Sequence, residues 1–416
     1  MPSPRLEAAL TLRRVLRDNA YSNIELSNTA RISGLSHADR ALYAAIVRSV
    51  LERRLTLDLV LGRYVRKKPD PEVLCCLYTG LAQILFMDKI PQSAACDETV
   101  KAAKELTDVR RAGFVNAVLR RACREKETLD TLISGSPDHI KYSISPQICE
   151  MLREQYPEDA EEAMARAFSR PPMCLRVNTL RVTPEELVKK LSELGAECEP
   201  RGKCVTVFSG AEKLIDGIGG DYFVQGAHSQ FAVELLGASE GMNVIDVCAC
   251  PGGKTLGAAI DMKNKGAVYA FDIHSNKLTL IERSAKALGI DIITTAERDS
   301  RDADLTLAGK ADRVICDVPC SSLGVLSSKP EIRYKDISSL DQLYKTQYDI
   351  LRASAAYLKP GGRMVYSTCT FNRNENGVQV RRFLAENPGH ALVSEHSFLA
   401  EDGYFDGFYA ALIERT

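Results

Sequence analysis

Residues 244–255 read VIDVCACPGGKT, an apolar run that ends in a loop with two glycines and a lysine. Such a run is typical of the first strand-to-helix turn of a doubly wound α/β sheet, where glycines let the backbone approach a ligand closely. The spacing fits neither the GxGxxG loop of dinucleotide folds nor the GxxxxGK[ST] loop of nucleotide triphosphatases. We therefore expect a ligand without a pyrophosphate, whose carboxylate faces Lys254.

The pattern around this loop extends to the carboxyl end of the chain. From about residue 240, short apolar segments alternate with amphipathic helical stretches; the apolar segments are NVIDVCA, AVYAFDI, IITTAE, RVICDV and RMVYST. Strand–helix alternation predicts a doubly wound, mostly parallel, Rossmann-like sheet that binds its ligands at the carboxyl edge.

Two acidic residues lie where the second and third of these strands end. Asp272, in YAFDIH, is placed to hydrogen-bond ribose hydroxyls, and Asp299, in ERDSR, is placed to meet an adenine amino group. Taken singly, each aspartate is more often a helix cap or a turn residue. In register along one sheet edge with the glycine loop, they outline a ligand with a ribose, a base and an amino-acid tail. This combination predicts S-adenosylmethionine as the cofactor.

Two cysteines follow the fourth and fifth strands. Asp317-Val-Pro-Cys320 follows one strand and Thr-Cys369-Thr the other, so adjacent strand ends would bring both thiols close to a methyl donor. Carbon 5 of cytosine is a poor nucleophile until a thiolate adds to carbon 6. That chemistry needs a nucleophilic Cys, an acid near N3 and a group that assists elimination, and Cys369, Asp317 and Cys320 supply this set. The alternative is that such thiols are only small buried apolar groups.

The amino-terminal part of the chain has a different pattern and charge. Residues 5–126 repeat apolar positions every three or four residues, which predicts an all-helical domain. Residues 1–126 carry 22 Lys and Arg against 14 Asp and Glu, a net of +8 in a chain whose total is −1. A nucleic acid is the usual partner of such a surface, although solvated helix faces would have the same composition.

Between these regions, residues 127–146 are predicted to form a linker and residues 146–235 a small α+β subdomain. We therefore expect a helical RNA-binding domain at 1–140, an α+β RNA-binding subdomain at 141–235 and a methyltransferase domain at 236–416.

Composition excludes several classes of protein. The 13 cysteines and 6 histidines lack the spacing of zinc sites, so no metal is expected. There is neither an apolar run long enough to cross a bilayer nor the apolar core of a secretory signal, so we expect a cytoplasmic protein without a membrane partner. A monomer is expected.

With these residues identified, the sequence resembles the RNA cytosine-5 methyltransferases, and within them the bacterial ribosomal small-subunit RNA methyltransferase B group (RsmB, Sun or Fmu). The resemblance extends nearly end to end, and its amino-terminal part is similar to a NusB-like helical domain. It rests on KIPQSAACDETVKAA, GFVNAVLRR, LRVNTL, FVQGAHSQFAVELL, CACPGGKT, FDIH, RDSR, DVPCSSLGVLSSKPEIRY and STCTFNRNENG.

The resemblance implies a role for each matching residue. Cys369 would be the nucleophile and Cys320 would promote product release. The S-adenosylmethionine contacts would be Cys248, Ala249, Cys250, Pro251, Gly252, Gly253, Lys254, Asp272, Asp299 and Asp317. The substrate would be 16S rRNA, methylated at cytosine 967. The sequence departs from the family pattern at Cys250, Gly226, Ser322 and Asn374, and none of these changes removes a reacting group.

The target base must be flipped out or taken from a loop, so contacts to RNA are needed. Our candidates for these contacts are Arg176, Asn178, Lys329 and Arg333, with Tyr334 beside them.

Several alternatives stay open at this point. DNA cytosine methyltransferases use the Pro-Cys thiol as the nucleophile, which makes Cys320 the second candidate. The same chemistry could act on a tRNA or on another rRNA cytosine, and a non-catalytic RNA-binding assembly factor is a third reading. An amino-group methyltransferase would have an Asp/Asn-Pro-Pro-Tyr/Phe turn where this chain has Asp-Val-Pro-Cys.

Overall fold

The computed structural model describes residues 3–18, 25–26, 28–29, 34–214, 219–399 and 406–416. The chain divides into two compact units. One comprises Met1–Phe168 together with Lys329–Asp336, and the other comprises Ser169–Ser328 together with Ile337–Thr416. The domain boundaries expected at residues 140 and 235 stay predictions.

The first unit is helical where it is described, as predicted. Its α-helices are α1 (Pro4–Asp18), α2 (His37–Glu52), α3 (Arg54–Gly62), α4 (Pro71–Phe86), α5 (Gln92–Leu106), α6 (Val109–Arg124), α7 (Lys126–Ser134), α8 (Asp138–Lys141), α9 (Pro146–Gln155) and α10 (Ala160–Arg166). Helix α4 is buried on every side from Val73 to Leu85, because its sequence is apolar all round. A Cβ atom on Gly80 of this helix would lie 2.5 Å from Leu119 Cδ1, so the glycine permits the close approach of α6.

The linker predicted at residues 127–146 is wrong, because α7 and α8 occupy most of it. Leu129 and Ile133 of α7 are four residues apart and both are buried in the helical core. The prediction gave more weight to the Ser, Gly and Pro residues nearby, which are typical of loops, than to this pair of apolar residues spaced one helical turn apart.

The second unit contains a small four-stranded sheet. Its elements are β1 (Met173–Val177), α11 (Pro184–Glu193), β2 (Glu197–Arg201), β3 (Cys204–Ser209), a 3₁₀ turn (Ala211–Leu214) and β4 (Tyr222–Val224). The strand order is β2-β3-β1-β4 and all pairings are antiparallel. Helix α11 starts at a capping box between Thr183 and Glu186 and buries Leu187 and Leu191. This part is the α+β arrangement that was predicted.

The same unit contains a seven-stranded sheet in the order β10-β11-β9-β8-β5-β6-β7. The strands and the helices that flank them are α12 (Ala227–Leu236), β5 (Asn243–Asp246), α13 (Gly253–Asp261), β6 (Ala267–Asp272), α14 (Ser275–Leu288), β7 (Ile293–Glu297), β8 (Ala311–Asp317), α15 (Asp341–Ala355), β9 (Leu358–Thr368), α16 (Gly377–Glu386), β10 (His390–Phe398) and β11 (Phe408–Arg415). Two 3₁₀ turns of this unit lie at Leu305–Leu307 and Leu323–Val325. A third 3₁₀ turn, Pro330–Tyr334, belongs to the helical unit. Strands β5 to β9 are parallel, and β11 and β10 close one edge as an antiparallel hairpin. The doubly wound, Rossmann-like sheet is therefore confirmed.

Within the described ranges, no helix is both long and apolar enough to cross a membrane.

Candidate active site

The site lies where the chain order of the parallel strands reverses. Strand β8 pairs with β5 on one side and with β9 on the other, so the carboxyl ends of these three strands are adjacent. Asp246 ends β5, Asp317 ends β8, and Cys369 follows β9 directly. A partly open cleft of about 230 Å³ lies at this edge, lined by Val224, Gln225, Gly226, Ser229, Asp246, Cys248, Ala249, Cys250, Pro251, Gly253, Lys254 and Asp317.

The glycine loop folds tightly against its neighbours before α13 begins. Gly252 has φ +111°, in the region that favours glycine, and a Cβ atom there would lie 2.9 Å from Ile281 Cγ1. A Cβ atom on Gly253 would approach Gln225 Nε2 to 3.3 Å. The two glycines therefore keep the backbone close to the cleft.

Two buried oxygen atoms of cleft residues accept no hydrogen bond from the described residues: Oδ1 of Asp246 and Oε1 of Gln225. The other carboxylate oxygen of Asp246 accepts from Thr255 Oγ1 at 2.6 Å, and burial raises the pKa of Asp246 to about 7. Unpaired buried acceptors are costly unless a ligand donates to them. These acceptors, together with Lys254, fit the ammonium and carboxylate groups of an amino-acid moiety.

Lys254 and Asp317 form an ion pair across the cleft. Lys254 Nζ lies 2.6 Å from Asp317 Oδ2, and Ser367 donates to Asp317 Oδ1 at 2.6 Å. Burial alone would lower the pKa of Lys254, but its contact with Asp317 outweighs burial and the pKa is raised. The ammonium is therefore fixed in its charged form beside the carboxylate.

The two thiols are in contact, with Cys320 Sγ 3.2 Å from Cys369 Sγ. The Cys320 S–H group donates to Cys369 and, against the opposing effects of burial and Asp317, lowers the pKa of Cys369 to about 7. Ser322 Oγ lies 3.7 Å from Cys369 Sγ, and this hydroxyl and Lys254 act in the same direction. The pKa of Cys320 is raised well above its usual value, first by Cys369 and then by burial. One sulfur is thus a thiolate near neutral pH while the other remains a thiol.

Of the two acidic residues predicted to contact the cofactor, Asp272 (ribose) touches the glycine loop, and Asp299 (adenine) lies farther along the sheet edge, after β7. Asp272 accepts from the backbone N–H of Cys250 at 3.2 Å and from that of His274 at 2.9 Å. Asp299 is paired with Arg301, which lowers the pKa of Asp299. Neither lines the cleft as described, so their contacts with ribose and adenine stay predictions.

Sequence reasoning missed Asp246 and Gln225 as cleft residues. Asp246 follows the apolar residues Val244 and Ile245, and an acidic residue at the end of an apolar strand could have been recognised as a candidate ligand-binding residue. Gln225 lies in FVQGAHSQ, and no spacing in the sequence indicated that this segment would approach the glycine loop.

The predicted RNA contacts at Arg176 and Asn178 are not supported. The side chain of Arg176 is fully buried and lies 2.6 Å from Asp261 Oδ1. Asn178 is also fully buried, and its amide donates to the backbone oxygens of Gly220 and Leu288. Both residues hold elements of the second unit together, and in this conformation neither can reach a phosphate.

Arg333 is also not supported as an RNA contact, because it is buried within the helical unit. Its guanidinium donates to the backbone oxygens of Tyr142 and Ala167 and stacks on Phe168. Tyr334 is held by the Leu51 carbonyl and the Ser143 hydroxyl. Lys329 is exposed, and its contact with RNA stays a prediction.

All 13 cysteines are free, and the described residues contain no group of three or more His, Cys, Asp or Glu side chains that could hold a metal ion.

Three family models match consecutive parts of the chain. The model "16S rRNA methyltransferase RsmB/F" matches residues 233–404, "NusB family" matches 2–124, and "Methyltr_RsmF/B-like, ferredoxin-like domain" matches 147–207.

Curated relatives match over most of their length. A protein named "Probable ribosomal RNA small subunit methyltransferase B" from Bacillus subtilis is 34% identical over 398 residues, which cover 92% of this chain and 88% of the relative. A "Ribosomal RNA small subunit methyltransferase B" from Vibrio cholerae is 32% identical and covers 82% of this chain and 80% of the relative.

Two solved structures share the fold at low identity. "Crystal Structure of PH0851" has a TM-score of 0.83 at 23% identity and covers 100% of this chain and 99% of that chain. NSun6 from Pyrococcus horikoshii, solved with SFG, has a TM-score of 0.57 at 19% identity and covers 65% of this chain and 98% of that chain.

Proposed function

The chain belongs to the ribosomal RNA small subunit methyltransferase B family, and on that premise we propose that it methylates carbon 5 of cytosine 967 in 16S rRNA. The methyl donor is S-adenosylmethionine, and the reaction proceeds through a covalent bond between Cys369 Sγ and carbon 6 of the base. We place this activity in the cytoplasm, where ribosomal RNA is modified.

The observation that carries the proposal is the thiol pair beside the cleft. A methyltransferase cleft alone would serve many acceptors, but carbon 5 of cytosine also requires a nucleophile that activates the ring. Cys369 is the one of the two contacting thiols whose pKa is lowered, to about 7, and it follows the strand next to the one that carries Asp317. The contact therefore supports Cys369 as the nucleophile and Cys320 as its partner.

Cys320 can assist at both ends of the reaction. Its S–H group donates to the Cys369 thiolate before attack on carbon 6. After transfer, the proton on carbon 5 passes to solvent water at the partly open cleft, its electron pair re-forms the double bond between carbons 5 and 6, and the bond between Cys369 Sγ and carbon 6 breaks. The departing thiolate then regains the same hydrogen bond at 3.2 Å, which makes Cys369 a better leaving group. Without Cys320, the adduct should persist.

Asp317 is the carboxyl group assigned to N3 of the base. Because both of its oxygens accept hydrogen bonds, from Lys254 and from Ser367, a proton must reach the carboxylate before it can be passed to N3. Lys254 is held in its charged form by this same contact, and a serine hydroxyl is a far weaker acid than a carboxyl group, so the proton comes from solvent through the partly open cleft.

The cleft residues fit the methionine end of the cofactor: Asp246 and Gln225 would accept from its ammonium group and Lys254 would hold its carboxylate. When bound there, S-adenosylmethionine supplies an electrophilic methyl group. The protein's part is to hold the donor near the two thiols and to keep the flipped base in place.

Exposed cations of the helical unit are candidates for phosphate contacts. Arg63, Arg66, Lys67 and Lys68 follow α3 within a few residues of one another and are all exposed. Their contribution should appear as a steep salt dependence of RNA binding.

The test is methyl transfer with labelled S-adenosylmethionine to 16S rRNA and to tRNA, followed by mapping of 5-methylcytosine in cells with and without the protein. We expect label in 16S rRNA and loss of the modification at cytosine 967. Methylation of tRNA, or of another rRNA cytosine, would contradict the assigned site. Binding of RNA without methyl transfer would favour an assembly factor.

A further inference from the structure

Glu375 is a fully buried acidic side chain to which the proposed mechanism gives no role. It lies between the loop that carries Cys320 and the loop that carries Cys369. Its carboxylate accepts hydrogen bonds from residues of both loops, and burial without such partners would be strongly unfavourable.

The contacts with the first loop are made next to Cys320. The backbone N–H of Ser321 donates to Glu375 Oε2 at 2.7 Å, and the Ser321 hydroxyl donates to Oε1 at 2.5 Å. Gln347 Nε2 donates both to Glu375 Oε2 at 2.9 Å and to the carbonyl of Pro319 at 3.0 Å. The residues on either side of Cys320 are thus fixed to one carboxylate, directly or through Gln347.

The contacts with the second loop are made next to Cys369. Thr370 Oγ1 lies 3.3 Å from Glu375 Oε1 and 2.9 Å from the Ser321 hydroxyl, and Asn372 Nδ2 donates to Oε1 at 3.0 Å. The next residue, Asn376, accepts from Thr368 Oγ1 at 2.5 Å and donates to the Thr370 carbonyl at 2.9 Å. The turn that presents Cys369 is therefore held on both sides of the thiol.

We propose that Glu375 is a positioning residue that sets the contact between Cys320 and Cys369, and thereby the nucleophile of the reaction given under Proposed function, on which this inference rests. Each loop is fixed one residue from its thiol, by Ser321 and by Thr370. A hydrogen bond between two sulfur atoms weakens quickly as they separate, and a displacement of about 1 Å at a reacting group can cost on the order of 10²-fold in rate.

The experiment compares Glu375→Gln and Ser321→Ala with the control Glu386→Gln. An amide at position 375 brings a donor into a pocket of donors, so the two loops should separate. Ser321→Ala is a milder change that removes one hydroxyl and keeps the backbone donor. Glu386 is a half-exposed carboxylate on α16 whose contacts are with Arg382 and Tyr348.

Three quantities are measured on the full chain. The first two are kcat for methylation of 16S rRNA and the affinity for S-adenosylmethionine, determined by calorimetry. The third is the alkylation midpoint, the pH at which iodoacetamide modifies Cys369 at half its maximal rate, followed on the Cys369 peptide by mass spectrometry. For Glu375→Gln we expect kcat to fall about 10- to 100-fold and the alkylation midpoint to rise by about one pH unit. The affinity should stay within about two-fold, because Glu375 does not line the cleft. Ser321→Ala should show the same changes at smaller size, and Glu386→Gln should match the wild type.

Two results would overturn the proposal. One is a wild-type kcat and a wild-type alkylation midpoint in both Glu375→Gln and Ser321→Ala. The other is a fall of cofactor affinity as large as the fall of kcat, which would indicate that the substitution destabilises the whole site. If the wild-type protein methylates no RNA, the proposed function fails, but the alkylation midpoints still decide whether Glu375 positions the thiols.

Discussion

Two of the thiol pairs in the chain have nearly the same separation but different surroundings. Cys320 and Cys369 are 3.2 Å apart at the edge of the parallel sheet, and Cys96 and Cys123 are 3.4 Å apart on neighbouring helices of the amino-terminal unit. The pKa of Cys369 is lowered to about 7, whereas burial and Cys123 raise the pKa of Cys96 to about 12. Contact with a second thiol therefore does not by itself lower the pKa of a thiol, and within the pair at the sheet edge too the pKa of Cys320 is raised.

What differs is the group of partners around each pair. Cys369 contacts Cys320 and Ser322, and these contacts and the nearby charge of Lys254 all lower its pKa; it also follows a strand whose neighbours form the cleft. Cys96 is packed in the helical core. A lowered pKa alone is also insufficient, since the pKa of Cys174 is lowered to about 7, first through Cys204, and neither lines the cleft. Catalytic assignment needs the thiolate and the cleft together.

The largest expected effect separates the two pairs by activity. Cys369→Ala should lower methyl transfer to 16S rRNA by about 10³-fold or more, because it removes the thiol of lowered pKa that is proposed to add to carbon 6, and the remaining Cys320 has a raised pKa. Cys96→Ala, which removes a sulfur from the helical pair, should leave the rate within about two-fold and cost only about 1 kcal/mol or slightly more of stability. Labelled-methyl transfer and thermal unfolding measure the two quantities. Equal rates for the two variants would remove the distinction between the pairs.

A second expected effect concerns the reactivity of the thiols in the unmodified protein. Near pH 7.5, a thiol with a pKa of about 7 is mostly thiolate, whereas one with a pKa of about 12 is ionised at roughly one part in 10⁴ to 10⁵. Iodoacetamide should therefore modify Cys369 faster than Cys96 by roughly three orders of magnitude or more, measured peptide by peptide. Comparable rates would mean that the surroundings do not distinguish the two sulfur atoms.

The smallest expected effect concerns pH. The thiolate is the reactive form, so activity should be full above the pKa of Cys369 and be lost as the pH falls through about 7. Ser322 has φ +63°, which glycine adopts more readily, so Ser322→Gly should preserve the loop while removing a hydroxyl that lowers this pKa. Its half-maximal pH should rise by a few tenths of a unit, up to about one unit. A shift to lower pH would contradict the role of the hydroxyl.

The parallel sheet and the placement of Cys369, Asp317 and Lys254 at its carboxyl edge could be predicted because they follow from the alternation of strands and helices along the chain. Parallel strands present their carboxyl ends at one edge, so residues directly after β5, β8 and β9 meet regardless of their distance in sequence. The glycine loop could also be predicted, because Gly252 and Gly253 lie where the backbone must pass close to its neighbours.

What could not be predicted depends on side chains from distant segments. Arg176 and Arg333 look like RNA contacts in the sequence, but their charges are compensated by Asp261 and by backbone carbonyls that are remote along the chain. Glu375 was noticed only as part of a motif, because its partners Ser321 and Gln347 come from other loops and helices. Local sequence signals do not include such contacts.

In the proposed reaction, Cys369 Sγ bonds to carbon 6 of the cytosine before the methyl group is transferred. The direct test incubates Cys320→Ala with S-adenosylmethionine and 16S rRNA, digests both polymers and locates the nucleotide by mass spectrometry. We predict a persistent adduct of a methylated cytosine on Cys369, and none in Cys369→Ala. An adduct on Cys320 in the Cys369→Ala protein, or normal methylation without Cys369, would contradict the account.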